Sequence, residues 1–410
     1  MRILVLSAAI GEGHDLPARC LAAGLRDESP DAELRIVDGL AAMSGFLERL
    51  AMSGSGFESA WGNRLFDVEH WLLTKVAPTR AFAGWGLVAL GGSGLLRLIA
   101  RERPDAVVST YPGVTEPLGR LRLAGRLGVP VVSAITDLAS LRFWAHPGVD
   151  LHLVTHPESV EEVRAIAGPA ADVVPVRGLN SSAFLEDFDR AASRARLGLP
   201  ARGPVVVVSG GGWGVGDLAG AIDVVLERPG AHAVVVCGRN EGVRAALAER
   251  FAANARVRVL GFTDDLPDLF AAADALIHST AGLTVLEAYV RGCPTISYGW
   301  GRGHIRANNE AFERFGLAQV ARRRRDLGPA LDRALAAERL AHLEFRGLPT
   351  AAGVVLARLG MAQRRDTGRG GEDARAGDGE RQPGDERSGQ VLAQRGGRHD
   401  GGDDDLRGDD

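Results

Sequence analysis

The sequence predicts an α/β protein of two facing, Rossmann-like halves, followed by a tail that cannot build a core. Three observations carry this. Continuous apolar runs of strand length recur along the chain, as in parallel strands covered on both faces. Two of them, ILVLSAAI at 3–10 and PVVVVS at 204–209, each run into a glycine-rich stretch and then a helical pattern. From about residue 363 apolar side chains nearly vanish, and nine arginines against thirteen acids there account for the whole formal charge of -4. Such a segment is expected to be disordered.

The 410 residues, 45% apolar, suffice for two cores. A folded body near neutrality argues against a nucleic-acid binder. Cys20, Cys237 and Cys293 are far apart with no paired spacing. Neither a disulfide framework nor a zinc site is expected, which fits a reducing cytoplasm. The expected boundaries are 1–178 for the first half, 179–203 for a linker and 204–348 for the second half. A closing helix at 349–362 returns to the first half, and the tail is 363–410.

In order, residues 3–10 read as a core strand rather than a signal peptide, because the run ends at once in Gly11-Glu12-Gly13-His14-Asp15. That loop precedes a helix from Pro17, and ELRIVD at 33–38 is the next strand. Strand, glycine loop, helix, strand opens a doubly wound sheet. As a dinucleotide fingerprint the loop is incomplete, since Leu16 stands where a third glycine belongs. A histidine at the C-terminal edge of such a sheet, His14, suits a general base. A purely hydrogen-bonding loop histidine is the plainer alternative.

Residues 40–100 lose the α/β rhythm. They carry Phe46, Phe57, Trp61, Trp71 and the apolar piece AFAGWGLVALGGSGLLRLIA at 81–100, whose glycines and Arg97 make a poor transmembrane helix. One or two packed helices and a bilayer-docking segment are both open. The rhythm resumes with a strand at 104–110, a helix around 118–127 and a strand ending in Thr136-Asp137. Asp137 at that strand end orients His14, contacts an acceptor or caps the following turn.

After a strand at 171–178 comes the linker, then the second glycine loop, Gly210-Gly211-Gly212-Trp213-Gly214, which suits phosphate binding through backbone amides. Strands at 231–240 and 257–262 end in Arg239 and Phe262. Arg239 reaches a diphosphate or is surface charge; Phe262 meets a base or fills the core. The apolar run at 274–277 breaks into Ser279-Thr280-Ala281-Gly282, and a helix starts at Leu283-Thr284. A helix start with small residues favours an anion. Glu287, one turn on, is a carboxylate for hydroxyl groups or a surface acid. A helix NEAFERFGLA follows, and the run Arg322–Arg325 is a solvated face or a contact for anionic headgroups.

Several of these pieces resemble glycosyltransferase family 28, which includes the monogalactosyl- and glucosyl-diacylglycerol synthases and the lipid II GlcNAc-transferase. The pieces are Ala281-Gly282-Leu283-Thr284-Val285-x-Glu287, Gly292-Cys293-Pro294, Gly303-His304-x-x-x-Asn308, Gly11-Glu12-Gly13-His14 and Thr136-Asp137…Trp144…Gly148-Val149-Asp150. The diacylglycerol branch is the nearer. The resemblance implies the GT-B fold, a UDP-sugar in the second half, a lipid acceptor such as diacylglycerol in the first, and no cofactor or essential metal. It implies hexose transfer with inversion by an enzyme held peripherally on the cytoplasmic face of the plasma membrane. His14 and Asp137 are then catalytic, and Gly11 and Gly13 form the acceptor loop. Gly211, Gly212, Trp213, Arg239, Phe262, Ala281, Gly282, Leu283, Thr284, Glu287, His304 and Asn308 meet the nucleotide sugar. The chain departs from the family at Glu12, Ala281 and His304-Ile305, which leaves the sugar open. A UDP-sugar 2-epimerase-type isomerase and a non-catalytic nucleotide-sugar-binding protein remain as alternatives on the same fold.

Overall fold

The computed structural model describes residues 1–8, 12–47, 49, 77–299, 301 and 303–360. The segment 50–76, Gly11 and the tail beyond 360 lie outside them, so the expectations placed there go with them. The described body falls within one compact unit, Met1–Met361.

Two six-stranded sheets form it, and every strand pairing is parallel. The first contains β1 (Arg2–Ser7), β2 (Glu33–Asp38), β3 (Ala106–Ser109), β4 (Val131–Ile135), β5 (Leu151–Val154) and β6 (Val173–Pro175). Their order is β2-β1-β3-β4-β5-β6. The second contains β7 (Val205–Ser209), β8 (His232–Val236), β9 (Val257–Leu260), β10 (Ala275–His278), β11 (Thr295–Tyr298) and β12 (Gln319–Ala321). It runs β12-β11-β10-β7-β8-β9, which in its own count is the 3-2-1-4-5-6 order of dinucleotide-binding sheets. The strands are Val/Ile-rich because helices cover both faces, and β3, β4, β5, β7, β10 and β11 are buried throughout. Each sheet has a switch point, at β1/β3 and at β7/β10, where crossovers leave on opposite faces and a ligand crevice opens.

Helix starts differ from expectation. The first helix spans Glu12–Glu28 and contains Pro17. Proline favours a first turn, but here the helix begins five residues earlier, so Gly13, His14 and Asp15 are helical rather than loop. The helix expected around 118–127 is Pro112–Leu123, and the one read from Asn309 begins at His304. β1 ends at Ser7, short of the expected residue 10.

Within 40–100, Ala77–Glu102 is one helix, long and apolar enough by composition to cross a membrane. Gly84, Gly91 and Gly94 lie on its packing surface. A Cβ on Gly94 would stand 2.2 Å from the Ala42 carbonyl oxygen, on Gly91 2.4 Å from Met43 and on Gly84 2.4 Å from Glu116. The helix therefore lies against the domain through the residues that made it a poor span. Phe82 and Trp85, 73% and 63% exposed, point outward from its first turns.

The linker is tied to the second half by Arg194, which donates to Ala272 O, Pro200 O and Asp274. The closing helix, Ala351–Gly360, packs Ala351, Ala352, Val355 and Leu359 on Ile3, Val5, Leu21 and Leu25 of the first half. Of the arginine run, Arg322 pairs with Glu313 and Arg324 with Asp223 on the solvated surface.

Candidate active site

The C-terminal edges of the two sheets meet. The loop after β4 brings Leu138 and Ala139 into one apolar cluster with Ala281, Val285, Ala311, Phe312 and Leu317 of the second half.

On the first half, the helix start carries His14 beside the end of β3. Its Nδ1 lies 3.1 Å from the Thr110 carbonyl oxygen, and Thr110 Oγ1 donates back to His14 O at 3.0 Å. A carbonyl only accepts, so Nδ1 carries the proton and the lone pair of the neutral ring sits on Nε2. Tyr111 meets the ring edge-on at 4.9 Å and Trp144 lies 5.9 Å away. Burial holds the His14 pKa below its ordinary value; the Asp137 charge opposes this, and His304 adds to it. The ring is thus a neutral base at pH 7. Gly13 has open space where a Cβ would stand.

Asp137 does not orient His14 by a hydrogen bond. Its Oδ2 accepts from Trp144 Nε1 at 2.8 Å and its Oδ1 from Asn308 Nδ2 at 3.2 Å. Thr110 does the orienting, a role the sequence reading missed although the residue ends an apolar strand run. Asn308 departs from expectation as well. It is 1% exposed, and its amide bonds Asp137, Ala139 N and Ala281 O rather than facing the cleft.

On the second half, the glycine loop is a tight turn. Gly211 and Gly214 have φ of +67° and +62°. A Cβ on Gly210 would stand 2.5 Å from the Gly214 carbonyl carbon, and on Gly238 2.3 Å from Gly212 O. Only glycine allows these approaches. The amides of Gly210, Gly214 and Val215 bond within the fold, and Gly211–Trp213 form a single 3-10 turn. Buried His278 supports the neighbouring turn through Thr280 Oγ1 at 2.8 Å, and burial lowers its pKa to about 4.

The helix Leu283–Val290 starts at Gly282 without a side-chain cap, leaving the Leu283 and Thr284 amides open. Ala281 before it has φ +47°, a left-handed conformation costly for a residue with a Cβ. Glu287 is 3% exposed, and burial alone pushes its carboxyl up to about 8. Cys20, on the first helix, has its pKa raised to about 11 by burial first and by its nearness to Glu287 second. Phe262 is not a core residue: it is 49% exposed, with the Arg239 guanidinium 4.1 Å over its ring. His304 opens its helix after Gly303, whose φ is +52°.

These residues form two facing sets. One is a base with its proton fixed on the far nitrogen. The other is a tight glycine turn and an uncapped helix start with a buried carboxyl, suited to a leaving diphosphate and a diol.

Residues 86–179 match the family model of monogalactosyldiacylglycerol synthase, and residues 204–318 match that of the group 1 glycosyl transferases. The processive diacylglycerol beta-glucosyltransferase of Bacillus pumilus is 25% identical over 335 residues, 80% of this chain and 84% of that one. The Staphylococcus carnosus protein of the same name is 27% identical over 234 residues, 56% of this chain but only 59% of its own length. Among solved structures, a spinosyn rhamnosyltransferase complexed with thymidine diphosphate aligns with TM-score 0.56 at 14% identity, over 87% of this chain and 99% of that one. Acinetobacter baumannii MurG aligns with TM-score 0.54 at 18% identity, over 88% and 99%. These two likenesses establish the GT-B fold.

Proposed function

Starting from the chain's likeness to the monogalactosyldiacylglycerol synthase model and to the diacylglycerol glucosyltransferases, we propose that it moves a hexose from a UDP-sugar to a lipid hydroxyl, with diacylglycerol as the acceptor class. In this reading His14 Nε2 takes the proton of the acceptor hydroxyl as its oxygen attacks the anomeric carbon. The bond from that carbon to the UDP oxygen breaks on the opposite face, which inverts the centre. Negative charge grows on the departing diphosphate, where the Gly212, Trp213, Leu283 and Thr284 amides receive it. Glu287 takes the ribose hydroxyls, and Phe262 with Arg239 borders the base. The charge is met by amides, so the reading calls for no metal.

The observation that carries it is the His14–Thr110 bond, which leaves the lone pair on Nε2. The exposed Phe82 and Trp85 support attachment to a membrane surface. The test is UDP release from a panel of UDP-hexoses, with and without vesicles containing diacylglycerol. Release that depends on the vesicles supports the reading. Vesicle-independent conversion of the sugar would instead favour an epimerase, and UDP binding without turnover a binding protein.

A further inference from the structure

The Asn308 amide lies on a continuous path between the two halves. Its Oδ1 accepts from Ala139 N at 3.0 Å, and its Nδ2 donates to Asp137 Oδ1 at 3.2 Å and to Ala281 O at 3.1 Å. Ala139 and Asp137 belong to the loop after β4. Ala281 belongs to the turn that starts the helix Leu283–Val290. Asp137 continues the path to Trp144 at 2.8 Å, whose ring lies 5.9 Å from His14. Ser159 Oγ pins the same loop through Leu138 O at 2.9 Å.

We propose that Asn308 is a positioning residue whose amide sets the separation between the base side of the cleft and the Ala281–Gly282 helix start, and that it does not hold the sugar. This rests on the transfer reading above. An asparagine offers an acceptor and two donors in one plane, and here the planar group meets both halves at once. The polarity is fixed by the backbone partners, because Ala139 N–H can only donate to Oδ1 and Ala281 O can only accept from Nδ2. The bond to Ala281 O ties the same amide to the residue that precedes the helix start, so the amide spans the gap between the halves. Displacements of about 1 Å in reacting geometry cost on the order of 100-fold in rate. The effect therefore belongs in kcat rather than in nucleotide affinity.

The test compares the parent with Asn308→Asp, Asp137→Asn and the double exchange. Asn308→Asp sets two carboxylates face to face. It lowers kcat on the order of 100-fold while the Kd for UDP changes less than about twofold. Adding Asp137→Asn restores an amide–carboxylate pair in the opposite sense, keeps an acceptor for Trp144 Nε1 and Ala139 N, and loses only the bond to Ala281 O. The double exchange recovers about tenfold of the loss. A raised KM for the UDP-hexose with kcat intact, and no recovery, would overturn the proposal in favour of a direct grip on the sugar. Thermal denaturation of the same four proteins reads the pairing without turnover. An additive cycle overturns the bridge whatever the donor. A coupled cycle in a protein that turns over no UDP-hexose leaves the bridge standing and sinks the transfer reading instead.

Discussion

At the scale of single residues, His14 is held by Thr110 and tuned by a charge it does not touch. Asp137 favours the charged imidazole, against burial, so Asp137→Asn lowers the His14 pKa further. In the proposed transfer His14 works as a neutral base, so kcat/KM is expected to fall as pH drops through its pKa. The acid limb therefore lies below about 6.5 and moves to lower pH in Asp137→Asn; a pH–rate profile of the two proteins checks the sign. Ala281 gives a second prediction. Relief of its left-handed strain by Ala281→Gly is offset by the lost methyl burial, so stability changes by less than about 1 kcal/mol. Ala281→Val, branched at Cβ in the same conformation, costs more than about 2 kcal/mol, read by chemical denaturation. His14, Glu287 and the Gly282 helix start were legible because each follows a strand-to-helix break. The Asp137–Asn308 bond was not, since 171 residues separate the partners and only the meeting of the halves joins them.

At the scale of elements, the strands could be read because Val and Ile runs buried on two faces have no polar alternation to confuse them. Helix starts were displaced for a common reason. Tyr111 and Gly303 cap their helices without a side-chain hydrogen bond, so the sequence lacked the Ser/Asp signal that marks a start. The helix Ala77–Glu102 shows how composition misleads: Gly84, Gly91 and Gly94 read as breakers but serve as contacts. Two substitutions separate these roles. Gly94→Ala drives a Cβ to 2.2 Å from the Ala42 carbonyl and destabilises by about 2 kcal/mol or more. Gly86→Ala, with nothing within 4 Å, stabilises by up to about 1 kcal/mol. Denaturation midpoints that moved alike in both would show that Gly94 is not on the packing surface.

For the whole molecule, the sequence indicated two facing α/β halves but left the strand order of each open. It also left open how the buried titrating groups share the interior. His146, His152, His156 and His278 are each lowered to about 4 by burial. Their folded pKa values lie below the unfolded one, so the stability they allow is present above pH about 6.5 and is lost as pH falls through 4. Glu287, raised to about 8, acts oppositely: stability is full below its unfolded value and is lost as pH rises through 8. Tm should peak between these ranges, near pH 6.5. In Glu287→Gln the decline on the alkaline side should flatten, and the rise between the unfolded carboxylate pKa and pH 6.5 should steepen.

The most direct test of hexose transfer by His14 is the product itself. The protein is incubated with a UDP-hexose of α configuration labelled at the anomeric carbon and with diacylglycerol vesicles, and the extracted lipid is examined by NMR. The account predicts a glycolipid with a β linkage, absent when His14→Ala replaces the parent although UDP still binds. An α-linked product, or a His14→Ala protein that forms glycolipid at the parent's rate, would contradict it.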